Sequence, residues 1–255
     1  MAIRELAELT WEDVRDLDRS HMVAVLPVGA VEAHGPHLPL GTDNVIAMAM
    51  ARAAMARLEP RGIGGVLLPP LPYTAAPFGA AFAGTLSVTP GACAALIADV
   101  AAEVARHGFA ALAIANAHLD PTHLGALAEA RRNAAARGAA PVICPGLTRH
   151  PWAERLTEEF RSGACHAGRY EGSVVMAERP DLVRAAVQRS LPPVPASLAT
   201  AIRQGATTFE QAGGPRAYFG WPADATAEEG AATIEALGGI LADAVLEALA
   251  PERAR

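Results

Sequence analysis

Apolar runs and stretches of helical composition alternate along the first 145 residues. Residues 22–28 form an unbroken apolar run closed by Gly29, the pattern of a strand covered on both faces, as in a parallel sheet. Residues 29–42 hold two Pro and three Gly and read as a loop, after which 43–58 has helical composition with Thr42 or Asp43 as its cap. The same unit recurs. A short strand at 65–68 leads into a Pro- and Gly-rich loop at 69–88, then a helix capped by Thr89, opened by Pro90 and running to about His107. A third buried strand at 109–115 is followed by a polar stop at 116–120 and a helix from Pro121 to near Gly138, with a fourth strand at 141–144. This alternation predicts an α/β fold with a mostly parallel central sheet and helices on both faces. Ahead of it, residues 9–17 read as a short helix capped by Thr10. Beyond it, 152–161 is read as a helix, 171–178 as a helix start or a strand, and 191–222 as a long ordered loop or partner-contact segment. Residues 227–249 are read as an amphipathic helix with a potential break at Gly238-Gly239. No composition shift divides the chain, so one domain over 1–255 is expected.

Composition narrows the chemistry. At 51% hydrophobic and 19% charged over 255 residues, the chain carries enough apolar surface for a large core. Aromatics are scarce, and the apolar mass is mainly Ala, Leu and Val, so close helix packing on small side chains is expected. The net charge is −6 without a basic block, which argues against nucleic acid or an anionic membrane as partner. All 21 basic residues are arginine, which excludes lysine Schiff bases, pyridoxal-phosphate attachment and a lysine-bearing P-loop. Cys93, Cys144 and Cys165 are odd in number and far apart, so no disulfide framework is expected. Residues 1–18 lack a signal-peptide core and no run spans a bilayer; a soluble, cytoplasmic protein is expected.

The candidate chemistry sits at strand ends. The loop after the first strand places Glu32, His34 and Asp43 within twelve residues. In an extended segment, Glu-x-His points both side chains the same way, and the intervening Gly and Pro let Asp43 fold back to the same point. After the third strand, His118 and Asp120 repeat the i, i+2 spacing. Two such pairs at the ends of two strands of one sheet converge on one crevice. Five His and carboxylate ligands are too many for one tetrahedral zinc with an open position; they suit two divalent cations sharing a carboxylate, zinc or manganese.

The block from Gly29 to Asp43, with Glu32, His34 and His37, resembles the signature of the creatininase (creatinine amidohydrolase) family. His166-Ala-Gly-Arg-Tyr-Glu171-Gly-Ser173 is similar to that family's His-Ala-Gly-x-x-Glu-Thr-Ser segment, and Pro77-Phe-Gly79 to Gly84-Thr85 to its loop after the second strand. The matches keep the family's order over roughly 20 to 245. The resemblance implies a three-layer α/β/α sandwich, usually a hexamer. It implies that Asp43 bridges two divalent ions, with Glu32 and His118 completing one site and His34 and Asp120 the other. It gives His166 as proton donor or substrate holder. This sequence departs from the family in having Asp120 where Glu is usual. It also has Ser162 to Cys165 where creatinine-hydrolysing members carry a tryptophan.

These readings predict a metal-dependent amidohydrolase in which a bridging hydroxide attacks a small amide or lactam, with His166 near the leaving nitrogen. The alternatives are a creatininase-like peptidase acting on a modified peptide in cofactor biosynthesis, and a non-catalytic assembly partner that keeps the fold. Glu171 is read either as a catalytic group hydrogen-bonded near His166 or as a helix-start carboxylate. His37 either organises the loop or orients the ligands, and Asn116 either orients His118 or satisfies the strand end. Phe78, Phe82 and Tyr73 either line the pocket or anchor their loop. His123, on the helix after Pro121, is expected to face away from Asp120.

Overall fold

Four parallel strands form one sheet in the order β2-β1-β3-β4: β1 (Met22–Val28), β2 (Gly64–Leu67), β3 (Ala111–Asn116) and β4 (Val142–Ile143). The structure is a computed structural model and describes residues 3–250. β1 and β3 lie at the centre, every one of their residues is buried, and their register runs from Val23 opposite Ala111 to Val28 opposite Asn116. Burial on both faces explains why they show as continuous apolar runs in the sequence. β2 keeps its expected four residues, shifted by one, whereas β4 keeps only two of its expected four.

The helices are α1 (Trp11–Arg15), α2 (Thr42–Leu58), α3 (Pro90–Arg106), α4 (Pro121–Ala136), α5 (Glu158–Ser162), α6 (Arg169–Glu178), α7 (Ala185–Ser190), α8 (Leu198–Arg203) and α9 (Ala227–Leu249). Val23, Val25, Ala111 and Ala113 pack on α2, α6 and α9, whereas Ala24, Leu26, Leu112 and Ile114 pack on α3 and α4. The alternating residues of each strand therefore feed two separate cores, giving an α/β/α three-layer arrangement.

Local signals set most helix ends. Thr10 and Asp13 form a reciprocal capping box, and the Thr89 side chain accepts from the backbone N–H of Ala92 with Pro90 at the first position. Two segments differ from the sequence expectation, and a third decides between its two readings. Residues 152–161 split into a 3-10 turn at Trp152–Arg155 and α5. The segment at 171–178 is helical, within α6. The helix at 227–249 runs unbroken through Gly238-Gly239. There, a side chain on Gly238 would collide with the Cβ and backbone of Ala53 on α2, so the glycine permits close helix contact rather than a break. The stretch at 191–222 is ordered and contains α8. It is closed by reciprocal backbone hydrogen bonds between Val194 and Gly220, 2.8 and 2.6 Å. Among the described residues, no helix is long and apolar enough to cross a membrane.

Candidate metal centre

The loop after β1 is pinned from several sides. Glu32 N–H donates to Leu40 O (3.0 Å), Leu86 N–H to Val31 O (2.8 Å), and Asn44 Nδ2 to Ala30 O (2.8 Å). Asp43 lies in the first turn of α2, where a negative side chain is favoured by the free backbone N–H groups. Gly29 is tight against that turn: a Cβ there would lie 2.7 Å from Asn44 N and 2.8 Å from the Asp43 carbonyl carbon. Any side chain at 29 would therefore displace Asp43. Together these contacts bring Glu32, His34 and Asp43, all at most 3% exposed, to the carboxyl ends of β1 and β3.

His118 enters from the end of β3 and Glu171 from the first turn of α6. Three groups of ligand atoms lie mutually within 4.8 Å: Glu32, Asp43 and His118; His34, Asp43 and Glu171; and Glu32, His34 and His166. Asp43 belongs to both of the first two. Its Oδ1 is 3.2 Å from His34 Nε2 and its Oδ2 is 3.0 Å from His118 Nδ1. Glu32 Oε1 is 3.2 Å from His118 Nδ1, and Glu171 Oε2 is 3.5 Å from His34 Nε2.

Backbone carbonyls fix the imidazole tautomers, because a carbonyl oxygen only accepts. His34 Nδ1–H donates to Glu32 O (3.1 Å), His118 Nε2–H to Ala75 O (3.0 Å) and His166 Nε2–H to Ala33 O (2.9 Å). In each ring the other nitrogen faces the carboxylates, the arrangement by which a metal-binding histidine is oriented. Buried Glu32 Oε2 has no hydrogen-bond partner, and buried Asp43 Oδ2 has only His118 Nδ1 beside it. Clustered buried carboxylates, one oxygen of them without a donor, facing oriented imidazole nitrogens, fit divalent cations of the zinc or manganese type.

The electrostatics agree. Burial disfavours a charged imidazole at His34, but the Asp43 and Glu171 carboxylates outweigh it and raise its pKa to about 10; His118 is likewise raised well above the ordinary value, by Glu32 and Asp43 against burial. Burial pushes Glu171 up to about 8 despite His34. His166, buried and beside His34, is lowered to about 4 and is neutral at pH 7.

Asp120 is placed differently from the expectation that it completes the second ion's shell. It caps α4: Oδ1 accepts from Thr122 N–H (2.7 Å) and Oδ2 from Phe78 N–H (3.3 Å), and Glu171 is the carboxylate grouped with His34 and Asp43. Asp120 still lines the same cavity, of about 110 Å³, together with Phe78, His166 and Glu171. Glu171 stands at the helix start, and its partner in the site is His34 rather than His166. It accepts from Ala167 N–H (2.7 Å) at the helix start, and it faces the site. His37 is fully buried, with no hydrogen-bond partner for either ring nitrogen, its ring set edge-on to Tyr218. Asn116 Nδ2 donates to His118 O (2.7 Å).

His123, expected to face away from Asp120, turns inward against Asn116 and His118. It is fully buried, its Nε2–H donates to Asn116 Oδ1 (2.9 Å), and its ring lies 5.0 Å from that of His118. Helical side chains lean toward the N-terminus, so a first-turn histidine reaches back to the end of the preceding strand. Phe78 lines the cavity, whereas Tyr73 is exposed.

Two residues have no sequence signal. Phe209 stacks on His166 with centroids 4.2 Å apart, but sits in the 191–222 stretch without periodicity. Glu159, 1% exposed, accepts backbone N–H bonds from Arg169 (2.9 Å), Tyr170 (2.6 Å) and Trp221 (2.8 Å), and so holds the turn that carries His166 and Glu171.

A family model described as creatininase, creatinine amidohydrolase, matches residues 7–245. Among curated relatives, the mycofactocin precursor peptide peptidase of Mycobacterium tuberculosis is 32% identical over 217 residues, 81% of this chain and 77% of that protein. The creatinine amidohydrolase of Pseudomonas putida is 30% identical over 121 residues, 45% of each chain. A crystal structure of creatinine amidohydrolase superposes with a TM-score of 0.74 at 23% identity, over 98% of this chain and all of that one; a manganese form of creatininase does so at 0.71, with 23% identity and the same coverage.

Proposed function

Because the chain belongs to the creatininase family, we propose that it is a metal-dependent hydrolase of a carbon–nitrogen amide bond. In this reading one cation is held by Glu32, Asp43 and His118 and the other by His34, Asp43 and Glu171. The observation that carries it is the shared carboxylate, with Asp43 standing in both ligand groups. Divalent cations of the zinc or manganese type, held by these residues, would supply a water of pKa about 7 and polarisation of a substrate carbonyl. The rest is done by side chains. His166 is neutral, its Nε2–H is committed to Ala33 O, and its Nδ1 lone pair faces the site. It therefore accepts the proton of the attacking water at Nδ1 and returns it to the departing nitrogen. Phe209 fixes the plane of that ring. Asp120 holds the Phe78 backbone against the cavity. Cavity walls from Phe78, Phe209, Leu198 and Ile202 exclude water from the reacting group.

Two substrate classes are compatible with this chemistry, a small or cyclic amide and a peptide. The peptide reading is supported by the match to the mycobacterial peptidase over 81% of the chain, and the small-amide reading by the creatinine amidohydrolase family model over residues 7–245. Among the described residues no tryptophan lines the cavity, whose stacking surface is phenylalanine. The test is metal analysis followed by turnover of cyclic amides, formamides and short peptides. About two ions per chain and chelator-sensitive hydrolysis are expected. A protein without stoichiometric metal would instead be a scaffold that keeps the fold. A homo-oligomer, six copies by family resemblance, belongs to the same proposal and is read from molar mass in solution.

A further inference from the structure

A second cavity, of about 290 Å³, adjoins the candidate metal centre. The two share Leu119 and Thr148 as a common wall. Its lining includes Arg131, Arg149 and His150; no carboxylate lines it, although His150 Nε2 lies 3.4 Å from Glu154 Oε1 just outside. Among the described residues, neither arginine makes a side-chain hydrogen bond or ion pair, whereas Arg52, Arg57, Arg137, Arg155, Arg169 and Arg179 each have a carboxylate partner. In a chain of net charge −6, two unneutralised guanidinium groups facing one hollow form a local positive field. A guanidinium is the side chain best shaped to take a carboxylate through paired N–H bonds.

We propose that this hollow is a carboxylate subsite. A substrate whose amide lies at the metal centre extends over the Leu119–Thr148 wall and places an anionic group, a carboxylate on the chain beyond the scissile bond, between Arg131 and Arg149. The amide part of this inference rests on the hydrolase reading; the carboxylate part does not, and it is tested by binding rather than turnover. It selects acidic or free-carboxyl amides over neutral ones.

The experiment compares hippurate with hippuramide, an amide pair differing in one terminal carboxylate, binding to the metal-loaded protein by calorimetry. Hippurate is expected to bind about tenfold more tightly. The double variant R131Q/R149Q, altered only at exposed positions, is expected to lose the preference while keeping its melting temperature and metal content. The wild-type preference is expected to survive removal of the metal by chelation. A preference that persists in the double variant, or vanishes with the metal, places the carboxylate on the cations and overturns the proposal. Equal binding of the two probes overturns it as well, as does a double variant whose only change is loss of subunit association. Failure of the hydrolase reading shows separately, as absent metal or absent turnover.

Discussion

At the scale of single residues, the decisive pair is Glu171 and Asp120. Both are buried carboxylates at the cavity, but Asp120 spends its oxygens on two backbone N–H groups while Glu171 faces His34. Glu171→Gln should therefore lose about one of two bound ions, while Asp120→Asn keeps both; metal analysis of the two purified variants decides between the assignments. His166→Ala should keep its metal and lose about 100-fold or more in kcat, and loss of metal instead would make His166 a ligand. The protonation of His34 and His118 sets a pH dependence. Both imidazoles hold a proton at neutral pH in the protein by itself, and a cation must displace it. Metal affinity should rise with pH between about 6 and 9, by about tenfold per unit for each proton displaced, with proton release measurable by calorimetry in buffers of different ionisation enthalpy. Glu32, His34, Asp43 and His118 were legible because their spacing lies within short segments at strand ends. The partnership of Glu171 with His34, and of Phe209 with His166, joins residues more than 40 positions apart, and local spacing carries no trace of it.

At the scale of elements, the sequence pattern located β1 to the residue and the three longest helices to within one or two, because burial on two faces and Thr or Pro caps leave local marks. It left 171–178 undecided, since Val174 and Val175 favour a strand while the helix is imposed by packing on α9. Gly238 misled for a related reason: glycine is a helix breaker by propensity but a spacer by contact. This gives a paired prediction. Gly238→Ala gains about 1 kcal/mol of helix propensity but overpacks against the Ala53 backbone, so a net loss, from an overpacking cost of about 1–3 kcal/mol, is expected. Gly125→Ala, on an exposed face of α4 with nothing within 4 Å, should stabilise by up to about 1 kcal/mol. Urea unfolding of both variants tests the pair, and equal shifts of one sign would show that contact plays no part.

At the scale of the whole molecule, the centre draws its groups from the β1 loop, the end of β3 and the start of α6, three regions spread over more than 130 residues of chain. A ligand that binds only the assembled state stabilises all of it together. Chelation should therefore lower the melting temperature of the entire cooperative transition, with about 4 kcal/mol of stability lost per site where free metal had stood at about 1,000 times its Kd; an unchanged melting curve would mean that the groups do not share a cation. Glu159 gives this wider arrangement an evolutionary edge. It meets neither cavity, yet three amides from two distant stretches converge on its carboxylate. Drift at that position would silence the enzyme from a distance, and a survey of inactive homologues that inspected only the ligand set would find every ligand intact and miss the cause.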